Sequence, residues 1–237
     1  MCHTLHKPLR HRTPHETRAP MSELVQPIAV QPTTHEATVM AAALASATML
    51  GHALLKHTDH ETQLSRLSND EVWDQWLAQR FTKSVRRMSK SAALRKVESL
   101  ELTSTTIDAG CARAIAFEPM SYDELPRELS RLQVSGTDCE RVFDRGEHYE
   151  YTGAITPLLV INQGITMSTG KTAAQAAHGL GLWLLAQDTE TRALWVSDPG
   201  VTLVTDDISR VRSVVTVTDS GLTEIPPGTV TVAVTTP

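Results

Sequence analysis

Aromatic residues and cysteines are scarce in this chain of 237 residues. Phe, Trp and Tyr make up 4% of it, so a core has to be built mainly from Ala, Val, Leu and Ile. The three cysteines, Cys2, Cys111 and Cys139, lie far apart and form no Cys-x-x-Cys pair. This pattern argues against a disulfide scaffold and a structural zinc site, and it is typical of a reducing cytoplasm.

Strongly apolar segments are also missing. Residues 1–20 mix Arg, His, Pro and Thr without an apolar run, which predicts a disordered extension and no secretory signal. Thr38–Leu55 carries no acid or base but is mostly alanine, so a buried helix is favoured over a membrane span. Five of the ten histidines fall in the first 35 residues without metal-ligand spacing. We therefore expect a cytoplasmic protein that needs no metal or cofactor and has no membrane partner.

Acidic residues are absent from Arg80 to Lys96, a segment that holds seven bases. The net charge of −5 does not mark the whole chain as a nucleic-acid binder, but a local basic stripe can contact phosphates. The alternative is a solvated helix face. The candidate RNA contacts in this stripe are Arg80, Lys83, Arg86, Arg87 and Lys90.

The first part of the chain predicts an α+β lobe over residues 21–134. Helices are expected at Thr38–Lys56 and from Asn69 to about Met88. Strands are expected at Val97–Leu102 and Ala112–Phe117, and a short helix or turn at Ser121–Leu132. Residues 135–153 are polar and contain glycine, so they are predicted to be a linker.

The C-terminal domain, residues 154–237, has sharper signals. Pro157–Asn162 is a continuously apolar run typical of a buried strand. Helices, then three strands, are expected at Gly170–Gln187, Glu190–Val196, Val201–Thr205, Val211–Thr218 and Thr229–Val234. This order predicts an α/β fold with a small sheet flanked by helices.

An internal repeat is also suggested. The segment Ala41–Leu55 aligns with Ala173–Gln187, and a tryptophan-bearing helix follows each. Alanine-rich helices match by composition alone, so the alignment leaves open whether the first lobe is a degenerate copy. In that alignment Val39 and Ala43 stand where the second copy has Lys171 and Gln175.

The loop Gly164–Thr172 is close to a phosphate-binding P-loop, but its spacing excludes one. Five residues separate the first glycine from Gly-Lys-Thr, whereas the P-loop has four. Lys171 still stands at the start of a helix, where free amides and the positive helix end favour an anion.

Two segments resemble the signature regions of the type 2 peptidyl-tRNA hydrolase family. Met167–Gly179 (MSTGKTAAQAAHG) is similar to the family's Gly-Lys, Ala-Ala-Gln and Ala/Ser-His pattern. Thr218–Val234 (TDSGLTEIPPGTVTVAV) is similar to its Asp-Ala-Gly-x-Thr-x-Ile/Val-x-Pro-Gly-Thr pattern and final strand. The resemblance spans residues 155–237 and implies a mixed sheet, tRNA as partner, and hydrolysis of the ester between peptide and tRNA by water.

The resemblance carries over the catalytic candidates Lys171, Asp219 and Thr223. The candidate substrate-binding residues are Gln175, His178, Ser220 and Gly221. Lys171, Gln175 and His178 are four and three residues apart and share one helix face. Structural alternatives remain open: Asp219 is also typical of a turn, Gln175 of a hydrogen bond from helix to sheet, and His178 of a core histidine.

Two departures from the family motivate an alternative function. Residues 206–210 replace a crossover helix and fall short of the dozen residues that a parallel crossover needs, which suggests antiparallel pairing or a remodelled edge. From Ala154 onward there are four bases and seven acids, although phosphate contacts dominate tRNA binding. The alternative is an inactive relative that acts as an RNA-binding or structural protein. The assembly is expected to be a monomer with two lobes that mimic subunits, or a homodimer.

Overall fold

The computed structural model describes residues 23–56, 70–144, 146–221 and 224–236, which form a mixed α/β fold with two sheets. The strands of the first lobe are β1 (Leu24–Gln31), β2 (Lys83–Arg87), β3 (Ser104–Ala109), β4 (Ala112–Phe117) and β5 (Met120–Ser121). Its helices are α1 (His35–Lys56), α2 (Asp70–Ala78), α3 (Ser91–Glu98) and α4 (Arg127–Ser130), with a 3₁₀ turn at Tyr122–Glu124. The sheet order is β2-β1-β4-β3, and β5 pairs with β1.

The second lobe repeats this plan. Its strands are β6 (His148–Tyr151), β7 (Leu158–Asn162), β8 (Val201–Asp206), β9 (Val215–Thr218) and β10 (Val230–Thr235). Its helices are α5 (Thr169–Leu185) and α6 (Thr189–Ser197), with a 3₁₀ turn at Ile208–Arg210. The sheet order is β6-β8-β7-β10-β9.

Apart from β5 and β6, the two sheets share strand order and direction. In each, the first strand of the lobe pairs in parallel with the strand that follows its two helices, and in antiparallel with the last strand. The third strand forms the far edge, antiparallel to the last. This topology agrees with the internal repeat that the alanine-rich helices suggest.

The core lies where α1 and α5 pack against each other, each on the sheet of its own lobe. Every residue of α1 from His35 to Gly51 is buried, as expected for a helix that is apolar all round. By length and composition α1 is able to cross a membrane, but 83% of its most apolar window is buried inside the protein. The predicted buried helix is therefore confirmed. Gly181 lets the lobes approach closely, since a Cβ there would lie 2.9 Å from Cζ of Phe81.

Two predicted elements of the first lobe are wrong. The helix from Asn69 does not reach Met88, because α2 ends at Ala78 and Phe81 has φ of 54°, outside the helical region. Packing stabilises this conformation: the Phe81 ring centroid is 4.3 Å from that of Trp76. The strand expected at Val97–Leu102 is largely the end of α3 and a loop, since Val97 packs on the outer face of the sheet beside α4.

The predicted linker also needs correction. Residues 135–153 join the lobes, but β6 within them pairs with β8 as an edge of the second sheet. The same segment binds the starts of both long helices. The carbonyl of Thr137 accepts from the Gly170 amide at 3.0 Å, and that of Glu140 accepts from the His35 amide at 2.8 Å. Sequence polarity alone could not distinguish this segment from a solvated linker.

The short connection after β8 does not produce antiparallel pairing. β8 and β9 are parallel to each other and are separated by β7 and β10. The connection crosses the outer face of the sheet, where Ile208 and Val211 pack against Val160 and Ala233. An irregular segment of a few apolar residues thus replaces the crossover helix.

Candidate active site

A cleft of about 460 Å³ opens between the lobes and holds most of the residues that the motifs select. We call it the interlobe cleft. The second lobe contributes Ser168, Lys171, Gln175, His178, Asp219, Ser220 and Glu224. The first lobe contributes Glu23, Arg80, Thr82, Lys83, Ser84, Val85 and Tyr122, most of them from β2 and its flanks.

Asp219 is the centre of the polar network in this cleft. Its Oδ2 accepts hydrogen bonds from Nζ of Lys171 and, at 2.9 Å, from Nε2 of Gln175. Gln175 in turn accepts from the Thr231 hydroxyl at 2.8 Å, which ties α5 to the final strand. The side chains of Lys171 and Asp219 are 14% and 3% exposed, so this ion pair is largely withdrawn from water.

Local sequence places both partners. Ser168 caps α5, its hydroxyl accepting from the Lys171 amide at 3.2 Å. Asp219 follows β9 in a tight turn, where its Oδ1 accepts from the Gly221 amide at 2.7 Å and Gly221 has φ of 74°. The turn conformation that the Asp-Ser-Gly sequence suggests is therefore present, and it fixes the carboxylate beside Lys171.

The surroundings of Asp219 favour its charged form. Burial raises the pKa of the carboxyl, but the hydrogen bonds from Lys171 and Gly221 and the lysine charge outweigh it and lower the pKa. A carboxylate of this kind is a weak base and both its oxygens already accept hydrogen bonds. What the carboxylate does in the structure is hold the Lys171 amine in place by a direct hydrogen bond.

His178 and Lys83 meet across the lobe boundary. The His178 ring lies edge-on to Phe81 with centroids 4.8 Å apart, and Lys83 Nζ lies 3.2 Å from the Phe81 centroid. Burial and the charge of Lys83 lower the pKa of His178 to about 3, so its imidazole is neutral at pH 7. Burial also lowers the pKa of Lys83 well below its ordinary value. His178 thus packs one lobe on the other while it lines the cleft.

The helix start differs from the predicted anion site, because two of its amides already donate within the protein. The Gly170 amide donates to Thr137 and the Lys171 amide to Ser168. Ser168 itself donates to Glu224 through both its amide and its hydroxyl. The Gly221 amide, a candidate donor to substrate, is likewise committed to Asp219, whereas Ser220 is exposed to the cleft. Thr223, the third catalytic candidate, lies outside the described residues.

The basic stripe divides over three environments. Arg80 and Lys83 line the interlobe cleft. Arg86 is 1% exposed and donates to the carbonyl of Leu129, so its guanidinium is not available to a phosphate. Arg87 and Lys90 line a separate groove of about 510 Å³, which we call the basic groove. Its charged residues are Arg87, Lys90, Lys96, Arg127, Arg131 and a single acid, Glu128.

The first lobe does not repeat the ion pair. Val39 and Ala43 are buried apolar residues of α1. Gly110 follows β3 as Asp219 follows β9, and a Cβ at Gly110 would meet the Tyr149 hydroxyl at 2.3 Å. Tyr149 on β6 thus fills the space where the first lobe would place a carboxylate.

Sequence reasoning missed that Ser84 and Glu224 line the cleft and that buried Thr231 hydrogen bonds to Gln175. Ser84 belongs to the other lobe, and only the suggested repeat would have brought that strand near the motifs.

Within the described residues, no group of three or more His, Cys, Asp or Glu side chains is placed to hold a metal ion.

Comparisons of the chain with protein-family models, with curated proteins and with solved structures gave no significant match. The resemblance to the type 2 peptidyl-tRNA hydrolases therefore depends on the two motifs.

Proposed function

We propose that this protein hydrolyses the ester bond between a peptide and the 3′ end of tRNA in the interlobe cleft. The observation that carries the proposal is the contact of Lys171 and Gln175, from the first motif, with Asp219, from the second. The two motifs are far apart in sequence, and nothing in their order alone requires their polar residues to meet in a cleft.

Lys171 is the group that stabilises the reaction. Water attacks the ester carbonyl, whose oxygen becomes negative, and a fixed cation near that oxygen lowers the barrier. The carbon–oxygen bond to the ribose then breaks, the ribose oxygen takes up the proton that the attacking water loses, and the peptide acid is released. Asp219 acts on this step through Lys171, and Gln175 holds Asp219 against the sheet through Thr231.

The basic groove supports tRNA as the substrate. It carries five bases and one acid, although the chain has a net charge of −5. Strand β2 connects the two sites, because Lys83 to Val85 line the cleft and Arg87 lines the groove. The acceptor end of a tRNA in the cleft then continues with its phosphates along the groove.

The direct test is hydrolysis of N-acetyl-aminoacyl-tRNA by wild-type protein and by Lys171→Ala. We expect kcat to fall by about 100-fold or more in the variant, as for removal of an oxyanion-stabilising donor. Arg210→Ala is the matched control, since Arg210 pairs with Asp207 at the surface with 81% of its side chain exposed. If the folded wild-type protein releases no N-acetyl-amino acid from this substrate, the proposal is contradicted.

A second test separates binding from turnover. Lys90→Glu with Arg131→Glu in the basic groove should weaken tRNA binding and reduce the salt dependence of log Kd by about one per lost phosphate contact. Arg212→Glu, an exposed base that lines neither the cleft nor the groove, should bind as the wild type does. Equal affinities of all three proteins would remove the groove from the proposal.

The second candidate function is RNA binding without turnover. It is favoured by Asp219, because its lowered pKa makes it a weak base for activating water and its oxygens already accept three hydrogen bonds. Tight, salt-dependent binding of N-acetyl-aminoacyl-tRNA without hydrolysis would select this function. Turnover that depends on Lys171 would exclude it.

A further inference from the structure

Among the described residues, the outer edge of strand β2 is unpaired at Lys83 and Val85, where it faces the interlobe cleft. The backbone amides and carbonyls of the even-numbered residues point toward β1. The Thr82 carbonyl accepts from the Gln26 amide at 3.0 Å, and the Met88 amide donates to the Val30 carbonyl at 2.7 Å. Because backbone groups alternate along a strand, the odd-numbered residues point to the opposite edge. At that edge the Arg87 amide donates to Gln133 at 2.8 Å.

The next two residues along this edge have no such partner. The amides and carbonyls of Lys83 and Val85 form no hydrogen bond with any other residue in the described part of the chain. Both residues line the cleft. Unpaired backbone groups at a largely buried edge are costly, and an occupant that pairs with them recovers this cost.

The equivalent edge of the second lobe is covered. There β8 pairs in antiparallel with β6 over four residue pairs, from His148 with Val204 to Tyr151 with Val201. Tyr149 of this covering strand, β6, fills the space beside Gly110, where the first lobe lacks a counterpart of Asp219. The covered edge of β8 is therefore associated with the position that has no ion pair. The open edge of β2 is associated with the position that has the Lys171–Asp219 pair.

A side chain on the same strand also lacks a partner. The Ser84 hydroxyl is buried, lines the cleft and hydrogen bonds to no described residue. With the backbone groups of its two neighbours, it gives the first lobe a short polar surface across the cleft from Lys171.

We propose that β2 binds the peptide part of the substrate as an added strand, which pairs with the backbone of Lys83 and Val85. This inference rests on the proposed hydrolysis of peptidyl-tRNA and extends it to the mode of peptide recognition. Added strands are bound through main-chain hydrogen bonds, which are the same for every sequence. The protein thereby accepts peptides of varied sequence and hydrolyses those with an extended main chain of two or more residues faster than a single acetylated residue.

Substrates of increasing length test the main-chain contacts. We expect kcat/KM to rise from N-acetyl-aminoacyl-tRNA to tRNA carrying N-acetylated di- and tripeptides, and then to level off. Methylation of one peptide amide should lower kcat/KM by about three- to tenfold, the value of one net hydrogen bond. Methylation of the adjacent amide, which points away from β2, is the matched control and should have a much smaller effect.

Hydrogen exchange provides a readout that does not require turnover. The probe is a tripeptide joined through an amide to 3′-amino-3′-deoxyadenosine, which cannot be hydrolysed as an ester. Its binding should slow exchange of the Lys83 and Val85 amides and leave the already bonded Arg87 amide unchanged.

The two readouts distinguish this inference from the proposed function. Hydrolysis that is independent of peptide length and amide methylation, without protection of Lys83 and Val85, overturns the added strand alone. Protection of these amides in a protein that hydrolyses no peptidyl-tRNA supports the strand site and overturns the enzyme. Absence of both hydrolysis and protection overturns both.

Discussion

Glu224 accepts two hydrogen bonds from Ser168, one from the backbone amide at 2.8 Å and one from the hydroxyl at 2.6 Å. Ser168 is the N-cap of α5, so this carboxylate sits at the positive end of the helix that carries Lys171. The position in which the sequence predicts a bound anion is thus taken by an acidic side chain of the protein itself.

Glu224→Gln should strengthen tRNA binding. Removing one exposed negative charge from the rim of the cleft lowers the repulsion of incoming phosphates, and we expect Kd to fall by about two- to fivefold at low salt. Filter binding of N-acetyl-aminoacyl-tRNA over a salt series measures this. Glu190→Gln, in the first turn of α6, changes the same charge outside the cleft and should bind as the wild type does. Weaker binding by Glu224→Gln would mean that the carboxylate orders the site.

Asp219→Asn should destabilise the protein at neutral pH. Loss of the carboxylate leaves Lys171 largely buried without its partner, which costs about 3 kcal/mol or more for a buried pair. Because the pKa of Asp219 is lowered from 3.8, its contribution is present above that value and is lost as pH falls through the folded pKa. The difference in Tm between wild type and variant should therefore be constant down to about pH 5 and shrink below about pH 4.

The control for this pH series is Asp74→Asn, an exposed position on α2. It should track the wild type at every pH. A difference between wild type and Asp219→Asn that persists undiminished at pH 3 would show that the ion pair is not its source.

The second lobe was largely predictable from sequence because its elements carry strong local signals. β7 is an apolar run that ends at Asn162, β10 is rich in β-branched residues, and α5 begins at a capping serine. In the first lobe, β2 is basic and is followed closely by α3. The segment Arg80–Lys96 therefore lacks the apolar run that would predict a strand, and no residue near Phe81 signals the end of the preceding helix. Burial of Arg86 and the turn at Phe81 depend on tertiary packing, which no local pattern reports.

The candidate site was predictable only in the half that the motifs cover. Lys171 and Asp219 follow from motif positions, and their convergence follows from the fold. The role of β2 depends on its lying beside α5, a contact between lobes that sequence spacing does not encode. Glu224 lies inside the second motif, but its contact with Ser168 depends on how the turn after β9 folds back.

Stability should fall as pH decreases from about 6.5 toward 4, because of His35. This buried ring binds Thr169 at 3.0 Å and Arg141 at 2.9 Å. Burial and the Arg141 charge lower its pKa to about 4 despite the opposing charge of Asp138. Below about pH 6.5 the unfolded chain binds a proton at His35 that the folded protein excludes. The contribution of His35 to the free energy of unfolding is therefore fully present above about pH 6.5 and declines by up to about 1.4 kcal/mol per pH unit below it.

His35→Asn should make this decline shallower. The asparagine cannot titrate, while His178 continues to contribute because its pKa is also lowered. Urea denaturation at pH 7 and pH 5 measures the slope, with exposed His148→Asn as the control that retains the wild-type slope. An unchanged slope in His35→Asn would place the pH sensitivity elsewhere.

Arg86→Met should keep the protein folded and leave tRNA affinity unchanged. The guanidinium is 1% exposed, and its Nε and Nη2 atoms hydrogen bond to none of the described residues. Its remaining contacts are the Leu129 carbonyl at 3.2 Å and the Tyr122 ring at 5.4 Å. Methionine fills similar space without a buried charge, so we expect the free energy of unfolding to rise by about 1 kcal/mol. Lys90→Glu, four residues further along the chain at an exposed position in the basic groove, is the contrasting variant and should lose affinity without losing stability. If Arg86→Met instead binds tRNA more weakly at undiminished stability, the guanidinium leaves the interior to reach a phosphate, and β2 opens when RNA binds.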